Sequence, residues 1–193
     1  MQRTQSADDT DDTLIRKLAA GDRTAFPTLL ERHLPVIHRL AWRLLGEQTE
    51  AEDVAQEAFL RLWNFAPDWR DQGASPRTWL YRVAFNLCQD RLRRRRVVFM
   101  ETVPEVPTDP ADSPSAALQD KQRSAKVQAA LDALPERQRA ALVLSYYEGL
   151  SQAEAAAILE IGEEALESLL ARGRRKLREL LAAEGRELLG GLG

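Results

Sequence analysis

The sequence GLSQAEAAAILEIGEEALESLLARGRRKLR, residues 149–178, decides the fold of the second half of the chain. Ser151 and Glu154 have the spacing of a capping box, in which each side chain accepts a hydrogen bond from the backbone amide of the other residue. The helix that begins there is short, because residues 160–162 predict a turn before a longer apolar pattern begins. Two helices joined by such a turn are typical of a helix-turn-helix, whose second helix enters the major groove of DNA.

The longer of these two helices has an apolar face and a charged face. The residues expected to face inward are Leu166, Leu169, Leu170, Gly173, Leu177, Leu180 and Leu181. Those expected to face outward are Glu163, Glu164, Glu167, Ser168, Ala171, Arg172, Arg174, Arg175 and Arg178. The arginines suit phosphate binding, whereas the glutamates either complement the helix dipole or accept hydrogen bonds from cytosine N4. The dipole interpretation is favoured for Glu163, and both interpretations stay open for Glu164 and Glu167.

Apolar residues three and four positions apart recur along almost the whole chain, and strand-like alternation is absent. The predicted helices are 12–20, 24–45, 49–65, 76–96, 117–132, 136–148, 152–159 and 163–183. The sequence therefore predicts an all-α protein.

Charge is distributed unevenly along the 193 residues, although the net charge is only −3. Residues 13–96 carry fifteen basic and ten acidic residues, whereas residues 97–118 contain four acidic residues, four prolines and no Lys or Arg. This pattern predicts two small helical domains joined by a flexible linker. The predicted segments are an acidic disordered tail at 1–11, a first domain at 12–96, a linker at 97–116, a second domain at 117–184 and a Gly-rich tail at 185–193.

The composition excludes several classes of protein. No apolar run approaches the roughly 20 residues of a membrane-spanning helix, and the polar, acidic start is unlike a secretion signal. The single cysteine, Cys88, permits no intramolecular disulfide and is expected in the core, while His33 and His38 are expected to be structural. The sequence has no phosphate loop, metal cluster or nucleophile with a base, so we expect neither an enzyme nor a cofactor. We expect a cytoplasmic protein.

The predicted third helix carries an acidic stripe opposite its apolar face. The apolar face is Ala51, Val54, Ala55, Ala58, Phe59, Leu62 and Trp63. Glu50, Asp53 and Glu57 recur at three- and four-residue spacing on the other face, with Gln56 beside them. Such a stripe is either a solvated helix face or a docking surface for a basic partner, and the stripe alone favours the solvated face.

The predicted fourth helix ends in a run of arginines. The residues expected to face outward are Arg82, Phe85, Asn86, Gln89, Asp90 and Arg93, followed by Arg91 and Arg94–Arg96 as the rest of the basic run. Guanidinium groups pair with phosphates, amides read base edges, and an exposed aromatic ring can stack on a base. Two of the arginines could serve only the helix dipole, but five within six residues favour nucleic-acid contact. The preceding loop, 64–73, either cages an unstacked base with Trp69 or contributes aromatic caps to the core.

Five segments in this order resemble the extracytoplasmic-function (ECF) sigma factors of bacterial RNA polymerase. They are GDRTAF (21–26), AEDVAQEAFLRLW (51–63), WLYRVAFNLCQDRLRRRR (79–96), LPERQRAALVLSYYEG (134–149) and RGRRKLREL (172–180). The resemblance implies a first domain, sigma region 2, that binds polymerase core and melts the −10 element, and a second, sigma region 4, that recognises the −35 element.

The resemblance also implies partners for the candidate residues. Asp53, Gln56 and Glu57 would dock on the clamp helices of the largest polymerase subunit, and region 4 would contact the flap of the second largest. The −10 strand would be held by Trp69, Arg82, Phe85, Asn86, Gln89, Asp90, Arg91, Arg93, Arg94, Arg95 and Arg96. The −35 groove would be contacted by Glu164, Glu167, Ser168, Ala171, Arg172, Arg174, Arg175 and Arg178. Family members have no cofactor, and an anti-sigma factor, often membrane-anchored, commonly holds them inactive during the absence of stress.

Three positions depart from the family pattern, and two other functions remain open. Phe85 stands where a basic residue is common, and Glu167 and Leu169 stand where the recognition helix commonly has Lys and Arg. A sigma mimic that sequesters an anti-sigma factor would explain the acidic recognition helix but would not need the arginine run. A helix-turn-helix regulator would need only residues 117–184 and would leave the first domain without a role.

Overall fold

The apolar spacing of the sequence forms helices wherever the chain is described. The computed structural model describes residues 9–70, 75–101 and 125–190. The helices are α1 (Asp11–Ala19), α2 (Ala25–Leu45), α3 (Gln48–Phe65), α4 (Pro76–Glu101), α5 (described over 125–132), α6 (Glu136–Leu142), α7 (Gln152–Leu159) and α8 (Glu163–Gly190). A 3-10 turn, Ala66–Asp68, follows α3, and a π-helical turn, Val143–Tyr147, continues α6. The described residues contain no strand, which confirms the all-α prediction.

Two helices run further than the sequence predicted. α4 continues five residues past its expected end at residue 96, and α8 continues seven residues past residue 183. Residues 97–101 contain no proline, which would break the helix, and the next proline is Pro104. Residues 1–8 of the predicted tail, 71–73 of the aromatic loop, 102–116 of the linker, 117–124 of the fifth helix and 191–193 lie outside the described residues.

The first domain is built on the apolar face of α3. The buried residues of this helix are Ala51, Val54, Ala55, Ala58, Phe59 and Leu62, as the spacing predicted, and Trp63 is partly buried. α3 packs against both α2 and α4, and α1 packs on α2. Cys88 is fully buried in this core, and burial raises the pKa of its thiol to about 12, so the expected packing role is confirmed.

Charged side chains attach α1 to α2. One carboxylate, Asp11, accepts hydrogen bonds from Arg32 Nη1 at 2.9 Å and lies 2.7 Å from His33 Nε2. His33 is largely buried and is paired with Asp11, as expected for a structural histidine. His38 lies 3.2 Å from the side-chain nitrogen of Gln48, at the start of α3.

The second domain is the predicted helix-turn-helix. Ser151 Oγ accepts from the Glu154 amide at 3.3 Å, and a Glu154 carboxylate oxygen accepts from the Ser151 amide at 2.9 Å, which confirms the capping box. Glu160 ends α7 in the left-handed conformation, with φ of 53°, and turns the chain into α8. Gly173 lets α8 approach α6 closely, because a Cβ there would lie 3.1 Å from Leu142 Cδ1.

The inward prediction for α8 was wrong at its C-terminal end. Leu166 and Leu170 are buried, but Leu181 is 39% exposed. α6, which packs on α8, is only seven residues long and approaches it at Gly173, eight residues before Leu181.

The two domains share one hydrophobic core. α7 packs against α4, and the π-helical turn and α6 pack against α2. Because of this packing, the helix-turn-helix domain lies on the helix of the first domain that carries the arginine run.

Candidate protein and nucleic-acid interfaces

The acidic stripe of α3 is exposed and borders an apolar groove. Asp53 and Gln56 are exposed, and Glu57 is half-exposed and pairs with Arg61 at 2.9 Å. The groove lies between α2 and α3 and has a volume of about 730 Å³. Its walls are formed by Phe26, Leu30, Leu34, Pro35, His38, Gln48, Glu52, Asp53, Ala55, Gln56, Phe59 and Leu60.

Two leucines at the groove are unusually open to solvent. Leu60 is 54% exposed and Leu34 is 37% exposed. An apolar surface with a polar rim is typical of a site that binds another protein. Sequence reasoning missed this groove, although Leu60 falls outside the apolar spacing of α3 and could have signalled it.

A second, polar cleft of about 390 Å³ joins the acidic stripe to the arginine run. It is lined by Asp53, Gln56, Glu57, Leu60, Arg61, Leu87, Asp90, Arg91 and Arg94. Arg91 Nη2 lies 4.0 Å from Asp53 Oδ2 across this cleft. The candidate protein-binding residues and the candidate DNA-binding residues are therefore immediate neighbours.

Most of the predicted outward face of α4 is accessible. Arg82, Asn86, Arg93 and Arg94 are exposed, and Gln89, Asp90 and Arg91 are partly exposed. Arg93 Nη2 donates to Asp90 Oδ1 at 2.9 Å. This face therefore combines cations, amides and one carboxylate along about three helical turns.

Phe85 does not face solvent, so the prediction of an exposed aromatic side chain at this position was wrong. Phe85 is only 8% exposed and belongs to the shared core. α7 packs on this side of α4, and Arg82 Nη2, one turn before Phe85, lies 3.5 Å from the carbonyl oxygen of Ala157. The second domain therefore packs on α4 within one helical turn of Phe85.

Trp69 is also withdrawn from solvent, contrary to its expected role as an open base-stacking ring. It is 9% exposed and lies edge-to-face against Phe65 and Trp79, with ring centroids 6.0 Å and 6.2 Å away. Phe65 and Trp79 stack on each other at 5.3 Å. Trp69 therefore fits the alternative that the loop aromatics cap the core, whereas Phe65 is 40% exposed. Trp63 packs on Phe26 at 4.9 Å and is likewise a core cap.

The arginine run divides into free and anchored residues. Arg95 donates from Nη1 to the carbonyl oxygen of Leu45 at 2.8 Å and from Nε to Glu50 Oε1 at 3.1 Å. Arg96 pairs with Glu136 of the second domain. These two arginines therefore hold contacts within the protein, and neither lies in the last turn of α4.

The charged face of α8 is open as predicted. All nine outward residues of the recognition helix, from Glu163 to Arg178, are exposed. Arg172 Nε donates to the Ser168 carbonyl oxygen at 3.2 Å, and Arg174 Nη1 donates to the Tyr146 hydroxyl at 2.9 Å. The helix presents glutamates in its first two turns and arginines after them, in the order that the sequence indicated.

The described residues show neither a metal site nor a membrane span. They contain no group of three or more His, Cys, Asp or Glu side chains placed to hold a metal ion. Within the same residues, no helix is long and apolar enough to cross a bilayer.

Comparison with known proteins matches both domains to one family. The Sigma-70 region 2 model matches residues 29–97, and the Sigma-70 region 4 model matches residues 124–177. The ECF RNA polymerase sigma factor SigE of Mycolicibacterium smegmatis is 39% identical over 176 residues, which are 88% of this chain and 67% of SigE. The chain belongs to the ECF sigma factor family.

Other sigma factors match over similar lengths. SigM of Mycobacterium tuberculosis, an ECF sigma factor, is 34% identical over 89% of this chain and 84% of SigM. The structure of CnrH in complex with the cytosolic domain of CnrY has a TM-score of 0.71, 30% identity and coverage of 91% of this chain and 99% of CnrH. RpoE of Bartonella quintana, in complex with the anti-sigma factor NepR, has a TM-score of 0.64, 27% identity and coverage of 81% and 96%.

Membership of the ECF sigma factor family confirms the function in transcription initiation that the sequence resemblance implied. Sigma factors are transcription regulators that bind RNA polymerase core and direct it to promoters. Region 2 comprises α2–α4, and region 4 comprises the helix-turn-helix. A regulator built only on the helix-turn-helix does not account for a first domain that matches region 2.

Proposed function

We propose that this ECF sigma factor binds polymerase core through the acidic stripe and apolar groove of α3. The observation that carries this assignment is the exposure of Leu60 and Leu34 beside Asp53 and Gln56. Apolar anchors in a groove supply most binding energy at protein interfaces, and rim charges steer the partner. The coiled clamp helices of the largest subunit, with a basic face, are the partner that this surface suits.

The −10 element is assigned to the open part of α4. Asn86, Gln89 and Asp90 offer the hydrogen-bonding groups that read base edges, and Arg82, Arg91, Arg93 and Arg94 offer cations for phosphates. Phe85 and Trp69 are buried, and Arg95 and Arg96 are engaged in contacts within the protein, so we assign none of the four to the strand in this arrangement.

The −35 element is assigned to α8. All eight candidate residues are exposed, so that Arg172, Arg174, Arg175 and Arg178 would neutralise phosphates along the groove and Glu164, Glu167, Ser168 and Ala171 would face the bases. Carboxylates accept hydrogen bonds from cytosine N4, so we propose a −35 element with cytosines where Glu164 and Glu167 point.

An anti-sigma factor is the regulator that we propose for this chain. CnrH and RpoE, which it resembles over most of its length, were solved with the cytosolic domain of CnrY and with the anti-sigma factor NepR. We propose control by such a protein, released under stress, and action in the cytoplasm, where polymerase and promoter DNA are found.

Binding to purified polymerase core tests the assignment of the groove. The full chain is labelled with a fluorophore and titrated with core in the absence of DNA. We expect saturable binding that the unlabelled chain competes for. A chain that binds an anti-sigma factor but not core would instead be a sigma mimic.

A further inference from the structure

The two tyrosines that end the π-helical turn of region 4 direct their rings to different partners. Tyr147 lies under the guanidinium of Arg43 on α2, which is 4.3 Å from its ring centroid. Tyr146 is 56% exposed, and its hydroxyl oxygen accepts a hydrogen bond from Arg174 Nη1 on α8 at 2.9 Å. Tyr146 is therefore a residue outside the recognition helix that contacts one of the arginines of that helix.

The π-helical geometry sets the direction of the Tyr146 side chain. The Glu148 amide donates to the Val143 carbonyl oxygen at 3.1 Å, a bond that spans five residues instead of the four of an α-helix. This wider turn rotates the side chains at its end relative to those of a regular α-helix. Single π turns are rare and are frequent at functional sites. The position of Tyr146 thus comes from a local geometry that is typical of such sites.

Arg174 shares one side of α8 with residues that we assign to base contact. Four exposed residues follow one another at spacings of four, three and four, namely Glu167, Ala171, Arg174 and Arg178. This spacing places them in one stripe along a helix. Tyr146 contacts the stripe through Arg174. The Tyr146 hydroxyl therefore lies beside the surface that we propose enters the −35 groove.

The hydrogen bond between the two side chains leaves each of them able to donate to an anion. Arg174 is the donor in this bond, so the Tyr146 oxygen is the acceptor and the hydroxyl proton can be donated elsewhere. The guanidinium has further N–H groups beside the one that this bond uses. Tyrosine hydroxyls and arginines both donate to phosphate oxygens in protein–DNA complexes. The pair therefore offers one neutral and one charged donor to a single phosphate.

We infer that Tyr146 and Arg174 together bind one phosphate of the −35 element, which makes Tyr146 a DNA-binding residue of region 4 outside the recognition helix. Arg174 supplies the charge, and Tyr146 donates to the same phosphate while it holds the guanidinium in position. This inference rests on the assignment of α8 to the −35 element.

Promoter binding by the holoenzyme tests the role of the Tyr146 hydroxyl. The full chain is assembled with cognate RNA polymerase core and titrated against a fluorescent duplex that carries a promoter at which this holoenzyme starts transcription. Tyr146→Phe removes only the hydroxyl and should weaken binding about three- to tenfold, the effect of losing one hydrogen bond. Tyr147→Phe makes the same chemical change at the next residue and keeps the ring that contacts Arg43. It is the matched control and should bind like the parent, and equal affinities for the two variants would overturn the inference.

Uncharged phosphates distinguish a DNA contact from a structural role of Tyr146. Each phosphate of the −35 element is replaced in turn by a neutral methylphosphonate, and binding of the parent and of Tyr146→Phe is measured with every duplex. We expect one position at which the replacement weakens the parent severalfold and weakens Tyr146→Phe by less, because both changes remove the same contact. If Tyr146→Phe loses the same fraction of affinity with every duplex, Tyr146 only supports the fold and the inference is wrong.

Arg172→Ala separates this inference from the function on which it rests. Arg172 is exposed on α8 two residues before Arg174 and therefore lies on a different side of the helix. If Arg172→Ala weakens promoter binding and Tyr146→Phe does not, the −35 assignment of α8 stands and the role of Tyr146 is wrong. If neither variant weakens binding and a scrambled −35 element binds as well as the native one, the assignment of α8 fails and the inference fails with it.

Discussion

Arg95 donates a hydrogen bond from Nε to Oε1 of Glu50 at 3.1 Å, which ties the basic end of α4 to the start of α3. The same side chain closes the C-terminal end of α2 through the Leu45 carbonyl oxygen. Arg94, its neighbour, is exposed and lines the polar cleft beside Asp53. Adjacent arginines in one run therefore have different roles, one in the fold and one at the surface.

Arg94→Ala should weaken DNA binding, whereas Arg95→Ala should lower the stability of the fold. Arg94→Ala should reduce the slope of log affinity for promoter DNA against log salt by about 0.7–0.9, because one phosphate contact is lost. Its free energy of unfolding should not change. Arg95→Ala should lower the free energy of unfolding by about 1 kcal/mol, a modest value because this ion pair is partly exposed. Salt titrations of fluorescence anisotropy and urea denaturation measure the two effects, and an unchanged salt slope in Arg94→Ala would remove this residue from the DNA interface.

Core binding should depend on Leu60 and Asp53. Leu60→Glu places a charge where an apolar anchor is expected, and we expect a loss of affinity of about tenfold or more. Asp53→Lys should lower the association rate most strongly at low salt, because it reverses a steering charge. Glu31→Lys, which changes an exposed acid elsewhere on α2, is the control. Competition binding to core measures all three variants, and equal affinities for Leu60→Glu and the control would contradict the assignment.

Glu167→Lys should change the preferred −35 sequence without unfolding region 4. Glu167 is exposed on α8, and each direct base contact is worth about 1–3 kcal/mol of discrimination. Glu163→Gln serves as the control, since that residue sits at the first position of the helix and complements its dipole. Transcription from a library randomised at −35 measures the preference, and the same consensus for Glu167→Lys and the parent would make Glu167 structural.

The capping box should make stability depend on pH in the acid range. Hydrogen bonds from the Ser151 amide and hydroxyl hold the pKa of Glu154 below its ordinary value. A carboxylate with a lowered pKa contributes stability above the pKa of the unfolded chain, about 4.3, and loses it as the pH falls through the folded value. Glu154→Ala should therefore lower the free energy of unfolding at pH 7, and the difference from the parent should shrink as the pH falls below about 4. Urea denaturation at the two pH values tests this, and a constant difference would show that the charge is not involved.

The sequence predicted the helices and their inner faces better than it predicted what covers them. Local spacing determined the buried side of α3 and the capping box at Ser151, because both depend on residues within one or two turns. Phe85 was expected to face solvent because the spacing of α4 contains no information about α7, which is about seventy residues away in sequence and packs over it. Trp69 was misplaced for the same reason, since its partner Trp79 lies beyond a loop.

Buried polar residues were the least predictable part of the structure. Glu148 and Arg139 look like surface residues in the sequence and are buried only where the two domains meet. Charged residues are rarely buried without partners, and those partners, Tyr81 and the end of α2, are distant in sequence. Only the assembled fold shows these pairs.

Transcription from fragmented genomic DNA tests the central claim most directly. Cognate RNA polymerase core is incubated with this DNA, with and without the protein, and the 5′ ends of the RNA are mapped. We expect new start sites that share two upstream elements, one near −10 and one near −35, and that disappear with Leu60→Glu. If protein whose α-helical circular dichroism shows that it is folded gives no core binding and no new start sites, the chain does not direct transcription and a sigma mimic is favoured.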